Sequence, residues 1–207
     1  MIKNIIFDWS GVISDSVENH LYVANEMFRQ LGGPQITLEE MKEEWVQPYM
    51  LFYNKFLPNL THEEEEVAYR KAILKYPKGK AYPGIIDLLK DFKEKGIKMT
   101  ILSSDITEVL LAEMTEFGLD NIFIDIFTHV YHKLESLEEL IKKNNFKKEE
   151  TIFIGDSNHE IEEGKNAGVL TGAVTWGYCT KAKLESLKPD FLINNLEELK
   201  TAILGKS

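Results

Sequence analysis

The chain has 207 residues, with 24 Lys and Arg against 34 Asp and Glu, a formal net charge of −10. A hydrophobic content of 43% beside 28% charged residues belongs to a folded globular protein and excludes a disordered or fibrous one. The acidic balance argues against a nucleic-acid groove, because phosphate backbones are repelled unless positive charge is concentrated locally. A single cysteine, Cys179, excludes an internal disulfide and a thiolate metal cluster. No apolar run approaches the ~20 residues of a membrane span, and the first one stops at Asp8, too early for a secretory signal. A cytoplasmic protein without nucleic-acid or membrane partners is expected; the oligomeric state is not legible.

Residues 3–8, with Ile5, Ile6 and Phe7 in a row, predict a short buried strand. The pattern then turns helical. Leu21, Val23, Ala24, Met27, Phe28 and Leu31 recur at helical spacing until Gly32-Gly33-Pro34 ends the helix. Thr37 and Glu40 read as a capping box opening a second helix to about residue 56, which Pro48 kinks or divides. Thr61 opens a third helix, whose acidic run 63–66 suits the positive end of the helix dipole and reads as a solvated start. From residue 83 onward helices and strands alternate: helix 83–94, strand 97–102, helix 107–117, one strand or two within 122–130, and helix 137–144. Strand 151–155, helix 161–167, strand 169–175, strand 191–193 and helix 196–204 follow. Such βα repeats predict an α/β fold, a Rossmann-like doubly wound parallel sheet with helices on both faces. Residues 1–15 and 81–207 would form this core, and residues 16–80 an inserted all-helical cap over the crevice.

Polar groups fall where the strands end: Asp8, Ser103-Ser104-Asp105, Lys133 after segment 122–130, and Gly155-Asp156-Ser157-Asn158-His159-Glu160. In a doubly wound sheet these points converge on one crevice. Their chemistry suits phosphoryl handling: a nucleophilic carboxylate, hydroxyls and backbone N–H groups for phosphate oxygens, an ammonium, and hard oxygens for Mg²⁺. Singly, each has a plainer reading as a turn, a cap or a solvated side chain. Four in this order are hard to attribute to chance.

With these motifs the chain resembles the haloacid dehalogenase superfamily of hydrolases, in particular its phosphoglycolate phosphatase-like and β-phosphoglucomutase-like branch with a helical cap. The resemblance runs from Ile5-Ile6-Phe7-Asp8 through Tyr82-Pro83-Gly84 and Gly164-Lys165-Asn166-Ala167-Gly168 to Asp190-Phe191-Leu192-Ile193. It implies a phosphatase of a small phosphorylated metabolite, working through an aspartyl-phosphate on Asp8. It further implies Ser103 and Ser104 as phosphate ligands and Lys133 as the charge-stabilising group. Mg²⁺ would be held by Asp8, the Ser10 carbonyl and Asp156, with Glu160 reaching it through water.

One position departs from the family pattern. The second Asp, which serves these enzymes as acid and base, is replaced by Ser10. A hydroxyl keeps the backbone carbonyl but loses the acid, and a positioned acid/base is worth roughly 10²–10⁴-fold in rate. The readings that follow are a slow phosphatase, one acting on acyl phosphates, or one in which His20 (then His132 or His159) supplies the proton. A family member that binds a phosphorylated ligand without turning it over is the rival of another class. Haloacid dehalogenase chemistry needs no proton, and phosphonoacetaldehyde hydrolase chemistry would need a cap lysine such as Lys42 or Lys55. A sugar-phosphate mutase depends heavily on the missing carboxyl. Trp45, Tyr49, Phe52, Tyr53 and Phe56 are expected to form the cap's apolar seam, with one or two lining the substrate mouth. Trp176-Gly177-Tyr178 is expected near the crevice, and Cys179 to be structural.

Overall fold

A computed structural model describes residues 1–75 and 79–205. Six parallel strands form one sheet: β1 (Asn4–Phe7), β4 (Lys98–Leu102), β5 (Asp125–Phe127), β6 (Thr151–Gly155), β7 (Leu170–Val174) and β8 (Phe191–Ile193), in the order β5-β4-β1-β6-β7-β8. Central β1 pairs Phe7 with Ile101 on one side and with Ile154 on the other, so three strands end level. The strand period of two sorts their side chains into two layers. Ile5, Phe7, Met99, Ile101, Ile152 and Ile154 pack on one face with α5 (Ile85–Glu94), α6 (Thr107–Glu116) and α10 (Leu196–Leu204). Ile6, Leu102 and Phe153 face the opposite way, against α7 (Lys133–Lys143) and α8 (Asn158–Ala167). A sheet buried on both faces explains why its strands read as apolar runs without polar alternation.

The insertion after β1 is helical, with four helices where three are predicted: α1 (Val17–Leu31), α2 (Leu38–Glu44), α3 (Met50–Phe56) and α4 (His62–Ile73). Proline at position 48 cannot donate to a helical carbonyl, and the chain divides there into α2 and α3. Thr37–Glu40 and Thr61–Glu64 both close reciprocal capping boxes, and Gly32 ends α1 in the left-handed conformation at φ 75°. Two-residue strands β2 (Ser14–Asp15) and β3 (Lys80–Ala81) pair antiparallel where the chain leaves and rejoins the sheet. On its other side the insertion meets the core through Asn158, whose side chain accepts from the Gln47 N–H at 3.0 Å and donates to the Gln47 carbonyl at 3.1 Å. Lys183 reaches the same side and donates to the Glu43 carbonyl at 3.3 Å and to the Trp45 carbonyl.

Elsewhere the predicted segment 122–130 yields only three strand residues at the sheet edge. Helix α7 begins four residues earlier than predicted, at Lys133 itself. The short helix α9 (Lys181–Ser186) and the pair β2–β3 carry no sequence pattern long enough to predict. No helix of the described residues is long and apolar enough to cross a membrane.

Candidate active site

The ends of β1, β4 and β6 open into a cavity between the sheet and the helical insertion. Asp8, Ser10, Ser103, Ser104, Asp156 and His20 all line it. Asp8 follows the last residue of β1 and is 8% exposed. Its Oδ1 accepts from the Trp9 N–H at 2.7 Å and its Oδ2 from Lys133 Nζ at 2.7 Å. Lys133 lies beneath the cavity wall, fully buried at the first position of α7, and donates also to Glu160 Oε1. Helix α8 starts directly after Ser157, so Glu160 sits in its first turn, where Oε2 accepts from the Ser157 N–H at 3.1 Å and hydroxyl at 2.7 Å. Both Glu160 oxygens are thereby engaged, one in a capping box and one in an ion pair.

This buried charge set is internally balanced. Burial pushes the Asp8 carboxyl up; Lys133 pulls it back and Glu160 and Asp105 push again, leaving it at about 7. Burial works against the Lys133 ammonium, yet Asp8 and Glu160 outweigh it and hold the ammonium above its ordinary value. The same contact, against a burial penalty, brings Glu160 down to about 2. Asp156 has less support: burial drives its carboxyl well above the usual range, with Glu160 and Asp8 adding to it, and its Oδ2 accepts from the Tyr178 N–H at 2.6 Å.

The surroundings of Asp156 are shaped by absent side chains. A Cβ on Gly11, which also sits at φ +77°, would fall 2.0 Å from Asp156 Oδ2, and one on Gly177 would fall 1.9 Å from it. Backbone thus wraps the carboxylate on two sides, which explains why the Trp176-Gly177-Tyr178 segment reaches the crevice. Carboxylate oxygens of Asp8, Asp156 and Glu160 lie within 4.8 Å of one another. A buried carboxylate with one hydrogen bond, beside a second carboxylate, is a donor set that fits a hard divalent cation.

Asp105 is the site residue that the sequence reading did not select. Its Oδ1 accepts from Ser10 Oγ at 3.0 Å and its Oδ2 from Ser103 Oγ at 2.9 Å. Burial raises its carboxyl, and those two hydroxyls and Lys133 oppose the rise. Ser103 is therefore occupied by a carboxylate, whereas the buried Ser104 hydroxyl has no partner among the described residues. His129, whose N–H donates to the Asp105 carbonyl at 2.9 Å, lines the cavity as well.

The insertion supplies the roof. His20 Nε2 meets the Tyr53 hydroxyl at 3.1 Å, and burial lowers the imidazole to about 4, so it is neutral near pH 7 and a poor proton donor. His132 and His159 do not line the cavity, and neither do Lys42 and Lys55; Lys55 pairs with Glu44 at 2.7 Å. Of the five cap aromatics expected in the seam, Trp45, Tyr49 and Tyr53 line the cavity, while Phe52 and Phe56 stay within the cap's apolar cluster. Cys179 is buried and its thiol is pushed up to about 12 by burial, as suits a structural residue. The acidic run 63–66 needs correction: Glu65 turns inward with Ala68 and Ala72 and is 4% exposed at the cavity wall.

Burial raises the Glu65 carboxyl to about 8, and Glu66 adds to the shift. An acid held protonated in the folded state but ionised in the unfolded one loses stability as pH rises from about 4.5 toward 8. Glu65→Gln, neutral throughout, is therefore expected to match the parent near pH 4 and to melt higher at pH 8, by on the order of a few kcal/mol. Thermal unfolding at both pH values checks this; equal melting temperatures at pH 8 would show Glu65 to be ionised at no cost.

The comparisons with known proteins agree with this architecture. Residues 5–174 match the family model described as haloacid dehalogenase-like hydrolase. The chain belongs to that family. Over 218 aligned residues it is 26% identical to the pyrophosphatase PpaX of Bacillus thuringiensis, covering 96% of this chain and 94% of that one. Among solved structures it is similar to a predicted phosphatase from Clostridium acetobutylicum, with a TM-score of 0.87, 20% identity and full coverage of both chains. It is also similar to a predicted phosphoglycolate phosphatase from Haemophilus somnus, with a TM-score of 0.78, 18% identity and 97% coverage of each.

Proposed function

We propose that the protein is a Mg²⁺-dependent phosphatase of a small phosphorylated metabolite, with Asp8 as nucleophile and the helical insertion as its cap. The observation that carries this reading is the meeting of Asp8, Ser104, Lys133 and Asp156 around one cavity at the ends of β1, β4 and β6. Asp8, Asp156 and the Ser10 carbonyl would hold Mg²⁺, with Glu160 at its outer edge. When bound, the cation neutralises charge on the phosphate and keeps Asp8 ionised. The names of the similar proteins, a pyrophosphatase and phosphatases, support the same class of reaction.

In the first step an Asp8 oxygen bonds to phosphorus and the P–O bond to the leaving alcohol breaks. Lys133 and the free Ser104 hydroxyl offset charge on the transferring group. The departing oxygen must gain a proton, and neutral His20 is unsuited to give one. Asp105, hydrogen-bonded to Ser10 at 3.0 Å, is a carboxyl beside the place where the family keeps its acid. We assign it the proton: donated to the alcohol, with Ser10 between them, and recovered from the water that then hydrolyses the aspartyl-phosphate and frees Asp8.

Asp105→Asn is accordingly expected to slow alkyl phosphate hydrolysis by roughly 10²–10⁴-fold. p-Nitrophenyl phosphate, whose leaving group needs little protonation, should lose far less. Equal losses on both esters would remove Asp105 from the proton path. For the reaction class itself, turnover of a phosphate ester panel with acetyl phosphate should vanish on chelation and return with Mg²⁺. No turnover of any member sinks the phosphatase reading, and metal-free halide release would replace it with dehalogenation.

A further inference from the structure

The cap side of the cavity has a composition that phosphate binding does not explain. Trp45, Tyr49, Tyr53, Tyr69 and Tyr178 wall it. Trp45 lies 4.6 Å from Tyr178, Tyr49 meets Tyr53 edge-on at 6.1 Å, and His20, 5.0 Å from Trp45 and 6.4 Å from Tyr53, joins the two pairs into one surround. Among the described residues no lysine or arginine lines this cavity. Histidine at position 20, packed within the surround, is neutral.

Polar groups face the same space without partners among the described residues, and one of them would ionise beside a cation. The Glu65 carboxyl, 4% exposed, is subject to burial and to the charge of Glu66, and among the described residues neither a hydrogen bond nor a cation offsets them. Gln47 Oε1 is buried and has no partner among the described residues. Three tyrosine hydroxyls suited to a sugar are already engaged: Tyr53 with His20, Tyr49 with His62 and Tyr178 with Ser16. Glu66 pairs with Arg70 at 3.4 Å on the exposed face of α4.

Aromatic faces attract a cation through their quadrupoles, and a buried carboxylate gains most from a charged partner. We propose that this half of the cavity binds an ammonium group, so that the enzyme acts on aminoalkyl phosphates. Their phosphate would lie at Asp8 and their nitrogen between the rings, Glu65 and Gln47. This rests on the phosphatase reading and narrows it. A carboxylate or second phosphate on the substrate would meet Glu66, and Glu65 once ionised, with no lysine or arginine among the described lining residues to receive it. Substrates such as pyrophosphate or phosphoglycolate are thereby disfavoured, in contrast to the names carried by two of the similar proteins.

The test compares kcat/KM, with Mg²⁺ present, for phosphocholine and phosphoethanolamine, for 3,3-dimethylbutyl phosphate (the uncharged isostere of phosphocholine) and for phosphoglycolate. At least one cationic ester should exceed the neutral isostere by about tenfold or more, with phosphoglycolate slowest. Glu65→Gln should shrink the cationic-to-neutral ratio severalfold. p-Nitrophenyl phosphate reports on the hydrolase independently: if it is cleaved while cationic and neutral esters react alike, the ammonium site falls and the phosphatase stands. If no ester is cleaved, calorimetric titration with choline decides. Binding that weakens in Glu65→Gln supports the site, and absence of binding overturns it.

Discussion

Asp8→Asn is expected to lower turnover of every phosphate ester by roughly 10⁴-fold or more, since an amide cannot take up the phosphoryl group. The fold should survive, because the carbonyl of the new amide can still accept from the Trp9 N–H or from Lys133. Acid quenching of the parent during turnover should trap phosphoryl mass on the peptide that contains Asp8, and the variant should trap none. Activity equal in the two proteins would move the nucleophile elsewhere or end the enzyme reading.

Lys133→Met is expected to cost more in stability than any other single change at the site, on the order of 3–5 kcal/mol. The ammonium is fully buried and holds two buried carboxylates at once. Removing it leaves Asp8 and Glu160 facing each other without a counter-charge. Lys133 is also what brings Glu160 down to about 2. In the variant that pull is lost: burial raises Asp8 without Lys133 to oppose it, and raises Glu160 against the Ser157 hydroxyl and His159, so stability falls more steeply as pH rises. The deficit against the parent should therefore be larger at pH 7 than at pH 5 in chemical denaturation. Adding Glu160→Gln should recover part of it, and a double substitution no more stable than Lys133→Met would show the pair to be uncoupled.

Most of the core was legible because each central strand is a short run buried on both faces, and most major helices have an apolar stripe and a chemical stop. Capping boxes at Thr37 and Thr61 and the glycine stop at Gly32 appear as read. Position 8 and the groups at 103, 133 and 156 converge because strand ends in a doubly wound sheet must. Asp105 stands among the strand-end groups, but its role is not legible there because it lies in a partner 95 residues away. Alone, Ser-Ser-Asp before a helix reads as capping. Glu65 is a different case, since the signal was present. Positions 65, 68 and 72 share one helical face, and two of the three are alanines. The run of four glutamates masks that period with charge. Glu160 illustrates how one residue admits two roles: the family resemblance implies a cation ligand, while spacing from Ser157 closes a capping box.

The two attachments of the helical insertion differ in kind. At one edge the backbone itself passes through β2 and β3, locked in register as Ser14 with Ala81 and Asp15 with Lys80. At the other, side chains reach across to backbone: the Asn158 amide clasps Gln47 by two hydrogen bonds, and Lys183 holds the Glu43 and Trp45 carbonyls. Only the second kind can part without unmaking a strand pair. Asn158 stands two positions beyond Asp156, and its partner Gln47 lines the chamber. Asn158→Ala would therefore loosen the contact between the insertion and the segment that carries the buried carboxylate, while leaving the β2–β3 pair untouched.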